Sequence, residues 1–308
     1  MGARGQVDNQ TWDKNTGNIN SFQEHTYTTS YTKTDVFVAF KDLNGDGRGD
    51  ILLSPSEKSG QTYRISWFEQ PGDPTGIWTE RIIEDNIEAV HHFVGAGDFD
   101  KDGENDVLTA EMHQGADPDE IKCFYNGGQG LTWTKQVVST QSNHSMRIFD
   151  ANNDGDIDCY GANWNSGAPS GAPVELWLNR SDTPWPLDQW RYSLLDNSRE
   201  RFSGSNPYLG LDFGDLNNDD VPDIVSGKYY YLNLGGNITS AFTRGTFPIN
   251  SDAMLIVNID HDEFSDVIAT ALRNVYWFEQ PTNSTSSWTR RQAASLDTTN
   301  GMDVGDFD

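Results

Sequence analysis

Asp42-Leu43-Asn44-Gly45-Asp46-Gly47-Arg48-Gly49-Asp50 stands between the apolar runs Val36-Phe37-Val38-Ala39-Phe40 and Ile51-Leu52-Leu53. The same frame returns as D-F-D-K-D-G-E-N-D from Asp98 to Asp106, D-A-N-N-D-G-D-I-D from Asp150 to Asp158, D-L-N-N-D-D-V-P-D from Asp215 to Asp223, and N-I-D-H-D-E-F-S-D from Asn258 to Asp266. A sixth copy begins at Asp306-Phe307-Asp308. Successive copies start about 45 to 65 residues apart, a period at which propellers lead the repeat architectures. One such loop reads equally well as an Asx turn. Five in one frame, each closing on Asp before an apolar run, read as cation loops.

Positions one, three, five and nine supply the oxygens that hard cations such as calcium prefer, and Gly at position six permits a sharp turn. The expected ligands are Asp42, Asn44, Asp46 and Asp50; Asp98, Asp100, Asp102 and Asp106; Asp150, Asn152, Asp154 and Asp158; Asp215, Asn217, Asp219 and Asp223; and Asn258, Asp260, Asp262 and Asp266. The implied cofactor is calcium, about four to five ions. Asp220 in the Gly slot of the fourth copy, and Asn258 with Glu263 in the fifth, make the fifth the weakest site.

Short β-branched runs on either side of each loop predict a hairpin. Two further strand-like runs follow: Tyr63 to Phe68 and Trp78 to Ile83, Ile121 to Tyr125 and Trp133 to Val138, Val174 to Leu178 and Trp190 to Leu194, and Val275 to Phe278 and Trp288 to Arg291. Four short antiparallel strands per repeat describe a propeller blade, with the recurring aromatics packed between blades. The predicted fold is an all-β propeller of four-stranded blades, residues 1–308 forming one domain. Its blades are 35–88, 89–140, 141–207, 208–250 and 251–296. Residues 297–308 start another blade, and 1–34 carry an outer strand, Phe22 to Tyr27, for the closing one. Ending inside a sixth loop, the chain reads as part of a longer protein.

From about Phe22 onward these loops, with Trp67-Phe68-Glu69-Gln70-Pro71 and its repeat at Trp277 to Pro281, resemble the FG-GAP or VCBS-type repeats. Those occur in integrin α-subunit propellers, fungal propeller lectins and secreted bacterial proteins. The resemblance implies a propeller, usually seven-bladed, with calcium between the first and second strands of a blade and ligands on the opposite face. It does not imply one activity, because fold and function are separable.

The formal charge is −26. Five divalent cations would neutralise about ten of those charges. The acidic balance argues against nucleic acid and anionic membrane as partners, and no apolar run approaches a membrane span. Millimolar calcium outside cells favours an extracellular or cell-surface location. Sequons stand at Asn9, Asn143, Asn179, Asn237 and Asn283, so a glycoprotein is expected. Cys123 and Cys159 allow either a disulfide or two buried thiols.

Histidines concentrate at the non-calcium end of the second and third blades. His91 and His92 enter the second, and its second strand leads into Glu111-Met112-His113; His144, Arg147, Asn163 and Trp164 take comparable places in the third. Together they suggest a polar pocket with an aromatic wall, suited to a sugar, or a His/Glu transition-metal site; the plain alternative is histidines bonded to backbone. Three functions stay open: a non-catalytic module binding glycan or extracellular protein, a structural glycoprotein subunit with possible self-association, and a propeller of a carbohydrate-active lyase or dehydratase. In the last, His92, Glu111, His113 and His144 are the acid/base candidates.

Overall fold

The computed structural model describes residues 10–18, 21–33, 36–163, 168, 171, 173–181, 189–200, 209–235, 238–239, 241–271, 273–280, 288–295 and 302. Trp164, the sequons Asn9, Asn237 and Asn283, and the start of the sixth loop lie outside them. All regular structure among the described residues is β-strand. The chain divides into two compact units, parting between His144 and Ser145.

The first unit opens with a hairpin of β1 (Gln10–Asn18) and β2 (Ser21–Thr28). One four-stranded antiparallel sheet follows, of β3 (Val36–Lys41), β4 (Asp50–Pro55), β5 (Lys58–Glu69) and β6 (Thr79–Ala89). A second contains β7 (His91–Gly97), β8 (Asp106–Glu111), β9 (Ile121–Asn126) and β10 (Trp133–Ser139). The second unit holds three such sheets. They are β11 (Ser145–Phe149) to β12 (Asp158–Ala162), β13 (Val174–Leu178) and β14 (Arg191–Asp196); β15 (Leu211–Gly214) to β16 (Asp223–Ser226), β17 (Tyr229–Asn233) and β18 (Phe242–Thr246); and β19 (Ala253–Val257) to β20 (Asp266–Ala271), β21 (Asn274–Glu279) and β22 (Thr289–Ser295). In every sheet the strands lie in chain order, the meander of a propeller blade.

Burial follows strand position. The second strands β4, β8, β12 and β16 are buried along their whole length, whereas β22 is exposed throughout. A strand covered on both faces needs near-continuous apolar or small residues, and these second strands read Asp-Ile-Leu-Leu, Asp-Val-Leu-Thr or Asp-Cys-Tyr-Gly. The expected strand at Phe22 to Tyr27 is present as β2, but its partner among the described residues is β1, which the sequence pattern had not revealed. Tyr27 and Tyr31 carry this segment onto Ile51, Leu53, Phe68 and Trp78 of the first blade. Strands β5 and β6 also run well beyond Tyr63–Phe68 and Trp78–Ile83, as a long ribbon whose register is shifted by bulges.

Between the first two blades, Leu52, Ile65, Trp67, Val94, Val107 and Phe124 form one buried cluster. Trp67 is fully buried and donates its indole N–H to the Gly130 carbonyl at 3.2 Å. Gly130 has φ +64°, and a Cβ there would stand 2.5 Å from the Trp67 ring, so the close approach needs glycine. In the second unit one cluster joins the third and fourth blades through Tyr160, Leu176, Ile224 and Tyr231, and another joins the fourth and fifth through Val225, Met254, Val267 and Phe278. Matching aromatics therefore pack as blade contacts. Cys123 and Cys159 are both buried thiols and form no disulfide.

Trp67→Ala removes the largest side chain of the first interblade cluster. It is expected to lower stability by about 3–5 kcal/mol. Chemical denaturation in calcium, with Val137→Ala at an exposed position of β10 as a near-neutral control, checks this.

Candidate functional site

Each Asp loop joins the first and second strands of its blade, and its ninth residue is the first residue of the second strand. That Asp is a structural clamp. Asp106 accepts the N–H of Phe99 at 2.8 Å on one carboxylate oxygen and the N–H of Asn126 at 2.8 Å on the other. Asp50 does the same with Leu43 and Gln70, Asp158 with Ala151 and Asn179, Asp223 with Leu216 and Asn233, and Asp266 with Ile259 and Gln280. The loop start is thus tied to the residue at or just past the end of the third strand. In two blades the side chain of that residue extends the wiring: Asn126 donates to the Leu43 carbonyl of the preceding loop, and Gln280 to that of Leu216.

The loop backbone repeats as closely. Position four is left-handed in all five copies, at Gly45, Lys101, Asn153, Asn218 and His261. Position six is left-handed at Gly47, Gly103, Gly155 and Asp220, and each of these donates its N–H to the position-one carboxylate at 2.8 to 3.0 Å. Asp220 therefore adopts the glycine conformation, which Asp tolerates better than most residues. Glu263 is not among the left-handed residues, and Asn258 instead donates to the Asp262 carbonyl. The fifth loop departs from the other four where its sequence does.

These loops fit a hard cation on their own donor atoms. Asp98, Asp100 and Asp106 each offer an oxygen, all within 4.8 Å of one another. The buried oxygens Oδ1 of Asp98, Asn217 and Asn258 have no hydrogen-bond donor. A buried oxygen left in that state asks for an ion or a water. Burial pushes the closing carboxyls up, Asp50 to about 6 and Asp106, Asp158 and Asp223 to about 7, with the neighbouring loop carboxylates adding to the effect.

At the opposite end of the second blade, the structure sorts the predicted residues into two groups. His91 is fully buried, with Nδ1 3.2 Å from the Thr109 hydroxyl and Nε2 3.1 Å from Glu111. Glu111 also accepts from Lys122 at 2.9 Å and from the Glu120 N–H at 2.6 Å. Burial pushes the Glu111 carboxyl up, but the His91 and Lys122 bonds outweigh it and hold it down at about 2. These two residues lock β7, β8 and β9 together and face inward.

His92 lies elsewhere. Its Nδ1 is 3.0 Å from the His144 carbonyl, its Nε2 is 2.7 Å from Glu57 Oε1, and its ring lies against that of His144, tilted by 32° with centroids 3.8 Å apart. Burial, followed by the charges of His92 and His113, lowers the His144 pKa well below the usual imidazole value. Burial also lowers that of His113. Glu57 escaped the sequence reading because it belongs to the two-residue turn between β4 and β5, in no motif. Its left-handed φ of 62°, unusual for Glu, was invisible before the fold.

In the second unit, Arg147 donates to the Met146 carbonyl at 2.8 Å and stands 3.7 Å from Asp212. Asn163 is buried and its carbonyl accepts from Arg199 at 3.0 Å. The sequon residues Asn143 and Asn179 are fully buried, which withdraws both amides from a glycosylating enzyme in the folded chain.

The FG-GAP-like repeat profile matches residues 42–109 and 98–161, each match spanning two of the Asp loops. Residues 42–161 thus carry FG-GAP-like repeats. Integrin alpha-IIb of mouse and of human are each 28% identical to it, over 108 and 107 residues. Those matches cover 31% and 30% of this chain and 10% of each integrin chain, so it spans a small part of these curated relatives. Among solved structures, an Agrocybe aegerita lectin that recognises non-reducing terminal N-acetylglucosamine has a TM-score of 0.61 at 14% identity, covering 94% of this chain and 75% of that one. BBS1N, solved in complex with ARL6DN, has a TM-score of 0.51 at 7% identity, with 92% and 85% covered. At these identities the likeness concerns the fold, a β-propeller of four-stranded blades.

Asp106→Ala leaves two interior N–H groups without an acceptor, so a loss of about 3 kcal/mol is expected in chelator, and a larger one in calcium, where a ligand of the ion is lost as well. Asp46→Ala and Asp102→Ala, in contrast, should lower the melting temperature in calcium more than Asp262→Ala and have little effect in chelator. A melt of the parent chain unchanged by chelator would remove the calcium reading.

The carboxyls of Asp50, Asp106, Asp158 and Asp223 also set a pH dependence for the metal-free protein. Their folded pKa lies above the unfolded value near 4. Their contribution is therefore complete below about pH 4 and is lost as pH rises through 6 to 7. In chelator the melting temperature should fall between pH 5 and pH 8, and saturating calcium should suppress that fall; calorimetry at both pH values measures it.

Proposed function

We propose that this protein is a calcium-stabilised extracellular binding module that recognises glycan or extracellular protein through the blade ends opposite the Asp loops. The carrying observation is a contrast between the two ends of the blades. All five Asp loops share the carboxylate clamp and the left-handed fourth residue. The connections between second and third strands share no such frame: 56–57, 227–228 and 272–273 are two residues long, whereas 112–120 and 163–173 are far longer. A repeated feature serves the scaffold, and ligand specificity resides in loops that differ on a rigid frame.

Calcium is supported by the all-oxygen donor sets and by the unsatisfied buried oxygens of three loops. An extracellular setting follows from that dependence, since such sites fill at millimolar calcium. A glycan ligand draws support from the Agrocybe aegerita lectin, which shares the fold and binds a terminal sugar. Binding is favoured over acid/base chemistry at Glu111 because its carboxyl, held at about 2, is ionised and bonded to Lys122 at neutral pH.

A glycan array probed with the calcium-loaded chain and with a His92→Ala/His144→Ala variant tests the reading. Selective binding by the parent and its loss in a variant of normal melting temperature is the expected result. If the parent and a folded variant are both silent on the array, the glycan reading fails.

A further inference from the structure

Glu57, His92 and His144 bring three donors together, two imidazole nitrogens and a carboxylate oxygen, with one donor atom from each within 4.8 Å of the others. This set has no counterpart in the Asp loops, whose ligands are oxygens only. It lies within the first unit, at the other end of the blades. Three segments distant in sequence build it: the β4–β5 turn, the start of β7 and the residue before β11.

The hydrogen bonding at His92 points to a cation. The His144 carbonyl 3.0 Å from Nδ1 can only accept, so Nδ1 carries a proton. In a neutral ring Nε2 is then a bare lone pair, and it faces a carboxylate oxygen at 2.7 Å. Two acceptors at that distance require a positive charge between or upon them. A proton on Nε2 would serve the Glu57–His92 pair alone, whereas a divalent ion draws on all three side chains. The Nδ1–H to carbonyl bond is also the outer contact that usually orients a metal-bound histidine and selects its tautomer. The Phe37 ring, 6.0 Å from that of His92, supplies an apolar neighbour that holds the imidazole.

We propose that Glu57, His92 and His144 form a binding site for a zinc-class divalent ion, separate from the calcium loops. At zinc–ligand bonds of about 2.1 Å, tetrahedral donors stand about 3.4 Å apart. The three donor atoms lie within 4.8 Å of one another, with His92 Nε2 2.7 Å from Glu57 Oε1, and the exposed Glu57 side chain supplies the adjustment to that spacing. Two histidines and a carboxylate leave the fourth position open to water or to a ligand oxygen, as in three-ligand zinc sites. The site does not depend on the glycan reading, and zinc binding is measured with no glycan present.

Calorimetric titration with zinc chloride, on the whole chain held in excess calcium, tests this. One zinc per chain is expected. Glu57→Gln and His92→Asn should each weaken binding by about tenfold or more, since even groups that merely orient ligands contribute that much. Glu57 is exposed, so Glu57→Gln reports on the metal while the fold stays intact; melting temperatures in calcium verify this for both variants. Cobalt added in place of zinc should give visible absorption bands in the parent that are altered by His92→Asn. No zinc uptake by the folded parent would leave Glu57 and His92 as an ordinary ion pair and overturn the proposal. Zinc binding that both folded variants retain in full would overturn it equally.

Discussion

A buried carboxylate accepting two backbone N–H groups is the contact on which the rest of this structure depends. The ninth residue of each Asp loop provides it, from Asp50 to Asp266. It anchors the loop to the residue at or just past the end of the third strand, so one side chain sets the relation of three strands. A charged acceptor suits this task, because bonds to it are stronger than those between neutral groups. It also explains the acidity of the loops in structural terms. Ionising such a group in the interior, beside two or three more carboxylates, is unfavourable without a counter-charge. A cation at the loop would relieve that repulsion and let the clamp remain ionised.

The two ends of the blades therefore answer to different constraints. At the Asp-loop end, every copy repeats the clamp of the ninth residue and the left-handed fourth residue, and only the fifth lacks the left-handed sixth. At the other end nothing structural demands repetition. There the turns are as short as Ser56–Glu57, or extend into the connection from Met112 to Glu120. The histidines divide by the same logic. His91 is drawn into a buried network with Glu111 and Lys122 that stiffens its sheet, while His92, its neighbour on the opposite face of β7, meets Glu57 and His144.

Several of these features were visible in the chain as letters. Period-two apolar runs around fixed Asp frames specify hairpins, and Asn258 with Glu263 marks the weakest loop. A further signal was present and passed over. Gln70, Asn126, Asn179, Asn233 and Gln280 stand at or just past the end of the third strand in every copy, and these residues are the partners of the clamp. Their recurrence was legible, but its meaning was not, since the paired Asp lies 10 to 21 residues earlier. The left-handed position four was hidden more deeply, because Gly, Lys, Asn and His share no side-chain property there. Asn143 and Asn179 look like surface acceptors in a sequon, and only burial disqualifies them.

The sequence by itself determined the repeat, the strand order within each blade and the acidic loops. These depend on side-chain periodicity and on spacings of fewer than ten residues, which a linear chain displays directly. Tertiary structure alone decided that Glu111 sits between His91 and Lys122, and that Glu57 meets His92 and His144. Each of these results from groups far apart in the chain being packed side by side. Burial and local charge, which set their chemistry, exist only after the strands have come together.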